Sequence, residues 1–449
     1  MMNVHKNEIT EGVIWKQLLF FFFPILIGTL FQQLYNTVDA IIVGRFVGKA
    51  ALASVGGSAS VLSNLVIGFF TGLSAGASVI ISQFYGAKDS KNLHKGLHTA
   101  YAFSIMSSLI LSIAGFLLTP WMLKAIHTPD ETMTDSILYL RIYFLGLLAV
   151  MIFNMGSAIM RAVGDSRRPL YYLIICCILN IILDILLVVL IPLGIAGAAI
   201  ATIIAQLVSA VLVTRSLMTS YGILKLKLRE IHFDLPTLKL ELRIGFPGGI
   251  QSCMYSLSNI IIQAAINNFG TDTAAAWAAW GKLDAIFWAV SGAFGIAVST
   301  FAGQNYGAHK FHRVFKSVRI SSGLSLGICS TLLSFIYFFC EPLFHLFTGD
   351  AAVVEIGVYM LKRLLPAYII YVFIEIFLGA LRGIGDVMFP TIANMVGVCL
   401  VRIPFVLFVV PLFPHIEFIL ASYPLSWVST LLLLIPYYFY KKKQIYQNH

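Results

Sequence analysis

The chain is 449 residues long, 59% of them hydrophobic and 11% charged, with a net charge of +10 and a mean hydropathy of +0.88. Soluble globular chains are about half apolar and about a quarter charged, so this composition excludes a large soluble domain and points to a lipid environment. The basic excess is not a nucleic-acid footprint, because its residues fall in alternate loops.

In chain order, residues 1–16 are polar and basic, and the apolar run that follows is too long for the core of a cleavable signal. It is the first of about twelve apolar segments, each of the roughly 20 residues needed to cross a bilayer. Six lie near 15–44, 50–83, 95–120, 134–161, 169–192 and 194–219. Six more lie near 241–270, 273–303, 317–346, 352–381, 389–412 and 416–440. Lys88, Lys91 and Lys95, then Arg161, Arg167 and Arg168, then the stretch from Arg215 to Arg243, then Lys310, Arg313, Lys316 and Arg319, and finally Lys441, Lys442 and Lys443 occupy every second connection. The other connections carry Asp130, Glu131, Asp350 and Glu355. By the positive-inside rule both termini are expected in the cytoplasm. The six cysteines are scattered and form no Cys-x-x-Cys pair, so neither a zinc site nor a disulfide framework is expected.

The chain also repeats itself. Gln83-Phe84-Tyr85-Gly86-Ala87 returns as Gln304-Asn305-Tyr306-Gly307-Ala308, and Arg161-Ala-Val-Gly164-Asp165 returns as Arg382-Gly-Ile-Gly385-Asp386. Both spacings are 221 residues (304 − 83 and 382 − 161). Pro24 and Asn36 match Pro247 and Asn259 at 223. Each half holds an even number of segments, so the halves are parallel repeats about an axis along the membrane normal. The expected fold is an all-α membrane protein of twelve transmembrane helices in two six-helix lobes related by a pseudo-two-fold. The expected division is an N-terminal lobe over 1–220, a cytoplasmic linker over 221–240 and a C-terminal lobe over 241–449. Two such lobes suit alternating access by rocking around a central cavity.

Ionisable groups at membrane depth are functional candidates. In the first segment Gln32, Asn36 and Asp39 share a helical face with Tyr35 beside them. Asn180 and Asp184 in the fifth segment, and Thr202 and Gln206 in the sixth, are each spaced i, i+4. Interhelical hydrogen-bond glue is a sufficient reading of Gln32, Thr202 and Gln206 taken singly; it is a poor one for Asp39 and Asp184. Two carboxylates with amide and hydroxyl oxygens suit a small hard cation. They equally suit a proton, because burial and a like-charged neighbour both favour a protonated carboxyl. The second half instead has Lys282, Asp284, Glu375 and Arg402, candidates for substrate contact or for a structural ion pair between Arg402 and Glu375. Pro24 and Pro247 remove a backbone hydrogen bond near the start of each half, as a static bend or a hinge. Trp277, Trp280, Phe287 and Trp288 suit packing or anchoring, or the wall of a drug cavity.

Over nearly its whole length, from about Trp15 to Tyr440, the chain resembles the multidrug and toxic compound extrusion (MATE) family. The resemblance is carried by Gln32-Gln33-Leu34-Tyr35-Asn36-Thr37-Val38-Asp39 and by the two pairs of repeated motifs. It implies a V-shaped twelve-helix fold and export of organic cations or amphipathic compounds in exchange for protons or sodium. In the DinF-like branch, Asp39, Asn180, Asp184 and Thr202 match the cation-coupling set, which would also be the metal ligands if sodium is the ion, and Pro24 matches a first-helix proline linked to bending. Where the family often has a proline after the fifth-helix aspartate, this chain has Ile185, and its seventh segment lacks the acid that places a cation site in the C-terminal lobe of other branches. The alternative in the same superfamily is a lipid-linked oligosaccharide flippase. The short chain and its membrane-depth acids favour cationic cargo. No zinc-protease or serine-nucleophile motif is present, so an enzyme is not expected. The resemblance further implies no cofactor beyond H+ or Na+, a small-molecule substrate, no nucleic-acid partner, a monomer, and a place in the cell inner membrane.

Overall fold

The computed structural model describes residues 8–219, 222 and 224–448, and these residues are helical with no strand. The two chain ends and the expected boundary at 220–221 lie outside the described residues. A bilayer offers backbone groups no water, so a spanning chain must satisfy them within its own helices or within a closed barrel; this chain takes the first course.

The first half contributes α1 (Ile14–Ile42), a short α2 (Lys49–Ala53), α3 (Ser60–Gly86), α4 (Ser90–Ala125), α5 (Asp130–Leu145), α6 (Leu147–Ala162), α7 (Arg167–Asp184) and α8 (Gly194–Thr219). The second contributes α9 (Leu235–Asn267), α10 (Thr271–Gly307), α11 (Phe311–Phe338), a short α12 (Cys340–His345), α13 (Ala351–Leu364), α14 (Tyr368–Gly383), α15 (Met388–Met395) and α16 (Ile416–Asn448). Among the described residues ten helices are long and apolar enough to cross a membrane, and eleven if the bent pair α5–α6 is one span. That pair breaks by 52° at Gly146; its repeat counterpart breaks at the 3-10 turn Leu365–Ala367. The expected seventh segment is α9, a helix of 33 residues whose opening turns carry Lys239, Glu241 and Arg243. Side chains such as Leu117, Trp121, Leu190 and Phe408 stand exposed on the outer faces, as lipid-facing positions require.

The repeated motifs are turn chemistry. After each Tyr-Gly-Ala the chain takes a left-handed residue, Lys88 (φ 56°) or His309 (φ 56°). The glycines of Arg-x-x-Gly-Asp, Gly164 (φ 94°) and Gly385 (φ 86°), occupy the same region, where a side chain would be strained. The aspartate that follows Gly164 accepts from the Arg167 and Arg168 amides, both at 3.1 Å, and so starts α7.

Two compact units result. One comprises Phe23–Gly249; the other joins Glu8–Phe22 to the chain from Ile250 onward. Each unit therefore takes most of one half and the opening of the other half's first helix, and both changes of unit fall within two residues of a proline, Pro24 or Pro247. In the unit that follows Ile250, Arg313 donates to the carbonyls of Gly12 at 2.9 Å, Ile9 at 3.1 Å and Glu11 at 3.2 Å, and Lys310 to that of Thr10 at 2.8 Å. In the other unit the segment before α9 is held along α4: Lys95 pairs with Asp234 at 2.8 Å, and the Lys227 amide donates to His98 Nε2 at 3.1 Å. There α9 crosses α3 at backbone contact, since a Cβ on Gly72 would stand 2.2 Å from the Gly249 nitrogen and one on Gly76 would stand 2.4 Å from that of Gly245.

Candidate functional site

Three helices of the Phe23–Gly249 unit bring the charged positions together. Asp39 comes from the last turns of α1, Asn180 and Asp184 from the end of α7, and Thr202 and Gln206 from the middle of α8; all five are buried. The Asn180 amide donates to Thr202 Oγ1 at 3.5 Å, and that hydroxyl donates onward to the Ala198 carbonyl at 3.1 Å. The carboxyls of Asp39 and Asp184 meet closely enough to share a hydrogen bond if one proton lies between them.

What remains is a surplus of acceptors. Asp39 Oδ1, both carboxylate oxygens of Asp184, Asn180 Oδ1 and Gln206 Oε1 are buried with no hydrogen-bond donor among the described residues. Buried polar atoms are nearly always paired, and unpaired buried charge is costly. The four of these oxygens that belong to Asp39, Asp184 and Asn180 fit an oxygen-preferring cation or a shared proton, while Gln206 lies one turn beyond Thr202 on α8.

Local backbone supports this placement. The helix departs from α geometry directly after Asp184, where Ile185–Leu190 is wound as a π-helix, and α1 does the same at Val43–Val47 beyond Asp39. Such segments are frequent at functional sites. The departure occurs with isoleucine at 185, without the proline the resemblance led one to expect. Its repeat counterpart, Phe405–Val409, is wound the same way.

Tyr139 is a member of the pocket that the sequence did not flag. It lies on α5 within electrostatic reach of both Asp39 and Asp184, and its ring stacks with Tyr143 at 6.3 Å between centroids. The available signal was spacing: Ser136, Tyr139, Leu140 and Tyr143 form one buried face. Tyr35 is half-buried and also within reach of Asp39. Gln32 and Asn36, expected on the same face, are exposed and stand outside this pocket.

The charged residues of the other unit are arranged differently. Asp284 accepts from the Trp288 indole at 2.7 Å and from the Tyr368 hydroxyl, beside a small cavity under Trp280, Phe287 and Leu365. Lys282 is exposed. Of the two readings of Arg402 and Glu375, the ion pair between them is not formed. Arg402, 2% exposed, donates to Ser426 Oγ at 3.1 and 2.7 Å and lies 4.3 Å over the Tyr423 ring, while Glu375 accepts from Tyr371 at 3.3 Å. The hydroxyl and ring of α16 satisfy the guanidinium in place of a carboxylate. Trp277 and Trp280 are buried against each other, with ring centroids 4.3 Å apart, which is packing. The one grouping with metal-ligand geometry found among the described residues, His94, His98 and Glu230, offers less than it suggests. His98 Nδ1 bonds the His94 carbonyl and Nε2 accepts from Lys227, so both ring nitrogens are engaged.

A family model, MatE, matches residues 24–186 and again 247–408. The chain is 29% identical over 443 residues to "Probable multidrug resistance protein YoeA" of Bacillus subtilis (strain 168), covering 96% of this chain and 95% of that one. It is 27% identical over 405 residues to "Probable multidrug resistance protein YpnP" of the same organism, covering 89% of each. Among solved structures, an outward-facing MATE family transporter of the MOP superfamily superposes with a TM-score of 0.91 at 19% identity over 99% of both chains, which speaks to the fold.

Proposed function

The chain belongs to the MatE family, and on that premise we propose that it is an efflux antiporter that expels cationic or amphipathic small molecules in exchange for protons or sodium. It is a multi-pass membrane transporter and not an enzyme. The single observation that carries the antiport reading is the pocket of unpaired buried oxygens around Asp39 and Asp184.

In this reading Asp39 and Asp184 hold the incoming cation or proton, Asn180 and Thr202 supply further oxygens, and Tyr139 closes the pocket. An ion bound there drives a change only by favouring one conformation over another. A membrane potential adds roughly 2.3 kcal/mol per charge per 100 mV, comparable with a typical coupling energy of about 1–3 kcal/mol, so one charge moved per cycle suffices. Pro24, one residue inside the change of unit on α1, is the proposed hinge. The protein is proposed to act as a monomer in the cell inner membrane with both termini cytoplasmic, and its two functional lobes to follow the repeat. Relatives named as multidrug resistance proteins support efflux over the flippase alternative.

The deciding measurement is cargo counterflow in proteoliposomes with a sodium gradient and a pH gradient imposed separately. Acceleration by one gradient names the ion. Transport indifferent to both, with cargo still bound, would overturn coupled antiport.

A further inference from the structure

The pocket above does not use every buried acid of the Phe23–Gly249 unit. Glu241, on the opening turns of α9, is 4% exposed, and its Oε1 has no hydrogen-bond donor among the described residues. Its surroundings are apolar and tight. The Oε1 atom lies 3.9 Å from where a Cβ on Gly96 would stand; Ile81 and Phe84 of α3 line the same spot; and the Glu241 carbonyl would be 2.5 Å from a Cβ on Gly76.

The charged and titratable groups at this end of the unit are otherwise occupied. On α4, Lys95 is paired with Asp234 at 2.8 Å and His94 with Glu230 at 3.0 Å, and His98 is bonded through both ring nitrogens. Lys239 and Arg243 on α9 itself are exposed. On α3, Tyr85 is half-buried in the apolar cluster formed with α4 and α6. None of these forms an ion pair or hydrogen bond with Glu241 among the described residues.

The internal repeat supplies a control. At the 223-residue offset that aligns Pro24 with Pro247, Glu241 corresponds to Leu18 (241 − 223), which is fully buried in the other unit. The seam between a first helix and its neighbours therefore closes over a hydrocarbon side chain at one end of the repeat and a carboxyl group at the other. The fold does not require the acid.

We propose that Glu241 is a second proton-binding site, separate from the Asp39–Asp184 pocket, seated in the seam where residues 235–249 of α9 lie on α3 and α4. A proton is the ligand the surroundings allow. A metal cation needs several oxygen ligands, and here there is one carboxyl among glycines, an isoleucine and a phenylalanine. Protonated, the group is neutral and the seam stays closed over it. Ionised, it places an uncompensated charge in apolar surroundings, which favours separation of α9 from Gly76 and Gly96. The proton enters and leaves from the end of the unit where α9 begins. The site stands whatever ion the other pocket takes.

Infrared difference spectroscopy on the purified full-length protein, titrated with base, tests this without reference to transport. Wild type should show the C=O band of a buried carboxylic acid that converts to carboxylate as pH rises. The band should be lost in both Glu241→Gln and Glu241→Leu and retained in Asp39→Asn. Hydrogen exchange of residues 235–249 should speed up across the same titration in wild type and lose that pH dependence in Glu241→Gln. Glu241→Leu should fold, as Leu18 does at the equivalent position; if it does not, Glu241→Gln carries both measurements. A band unaffected by either substitution, or one that persists at every pH with unchanged exchange, would overturn the proposal.

Discussion

The two halves were built from one plan, and their corresponding positions show which parts of that plan were kept. At the repeat offsets, Asp39 of the first half corresponds to Ile262, Asn180 to Val401, Asp184 to Phe405 and Thr202 to Tyr423. All four polar positions of the pocket are thus apolar or aromatic in the second half, while the helix order, the turn motifs and the π-helical stretch after position 184 or 405 persist. Backbone architecture is the conserved product of the duplication. The proposed Asp39–Asp184 pocket draws on one copy only, and the second half holds Asp284, Glu375 and Arg402 in hydrogen bonds to tryptophan, tyrosine and serine.

The largest expected effect tests that asymmetry directly. Asp39→Asn is nearly isosteric and should reduce gradient-driven transport to background in proteoliposomes, with the protein still folded. Glu375→Gln should leave transport close to wild type. If Glu375→Gln is inactive and Asp39→Asn transports normally, the two halves have been assigned the wrong way round.

Packing, in contrast, should be equally unforgiving in both units. A Cβ on Gly72 would stand 2.2 Å from the Gly249 nitrogen, and one on Gly379 would stand 2.7 Å from the Gly295 carbonyl. Gly72→Ala and Gly379→Ala should each cost about 1–3 kcal/mol or more, read as a lowered Tm in detergent. A harmless substitution in either unit would mean that its seam is looser than these distances allow.

Ser426→Ala comes next. It leaves the buried Arg402 guanidinium without its hydroxyl partner and should cost about 1–3 kcal/mol while leaving ion selectivity unchanged. A change in the driving ion would make Arg402 part of the coupling machinery and blur the contrast between the halves.

The smallest effect concerns the segment before α9. Lys95 first, then Thr237, hold the Asp234 carboxyl down to about 2. With a folded value below the unfolded one of about 3.9, the contribution is fully present above the unfolded value and is lost as pH falls through about 2. Asp234→Asn should therefore lower Tm slightly at neutral pH and lose most of that difference as pH falls to about 2. An equal effect at both extremes would assign the loss to packing instead of charge.

Much of this was legible in residue order, for a physical reason. Hydrocarbon thickness sets segment length, so spanning helices announce themselves, and an acid inside an apolar run is conspicuous; Asp39 and Asp184 were visible that way, while Asn180 and Thr202 entered through i, i+4 spacing and the family resemblance. Tyr139 was not, because a tyrosine is unremarkable in a helix that is partly apolar, and only tertiary packing brings it to the carboxyls. Glu241 was hidden for the opposite reason: it sits in a charged stretch, Lys239 to Arg243, that reads as a solvated loop end. The exchange of Glu8–Phe22 and 235–249 between units was also invisible, since hydropathy records that a helix is buried in something apolar and not which bundle supplies it.

That exchange bears on how the chain is made. Arg313 grips the Gly12 carbonyl across 301 residues of sequence. At about 5–20 residues per second, Gly12 waits roughly 15–60 s for the partner that fixes it. During that interval the opening of α1 is without this clamp, and the first unit itself is incomplete until residues 235–249 have emerged. Each unit therefore includes a segment translated with the other half. The first unit can close once residues 235–249 have emerged, and the second only when the chain from Ile250 onward joins Glu8–Phe22.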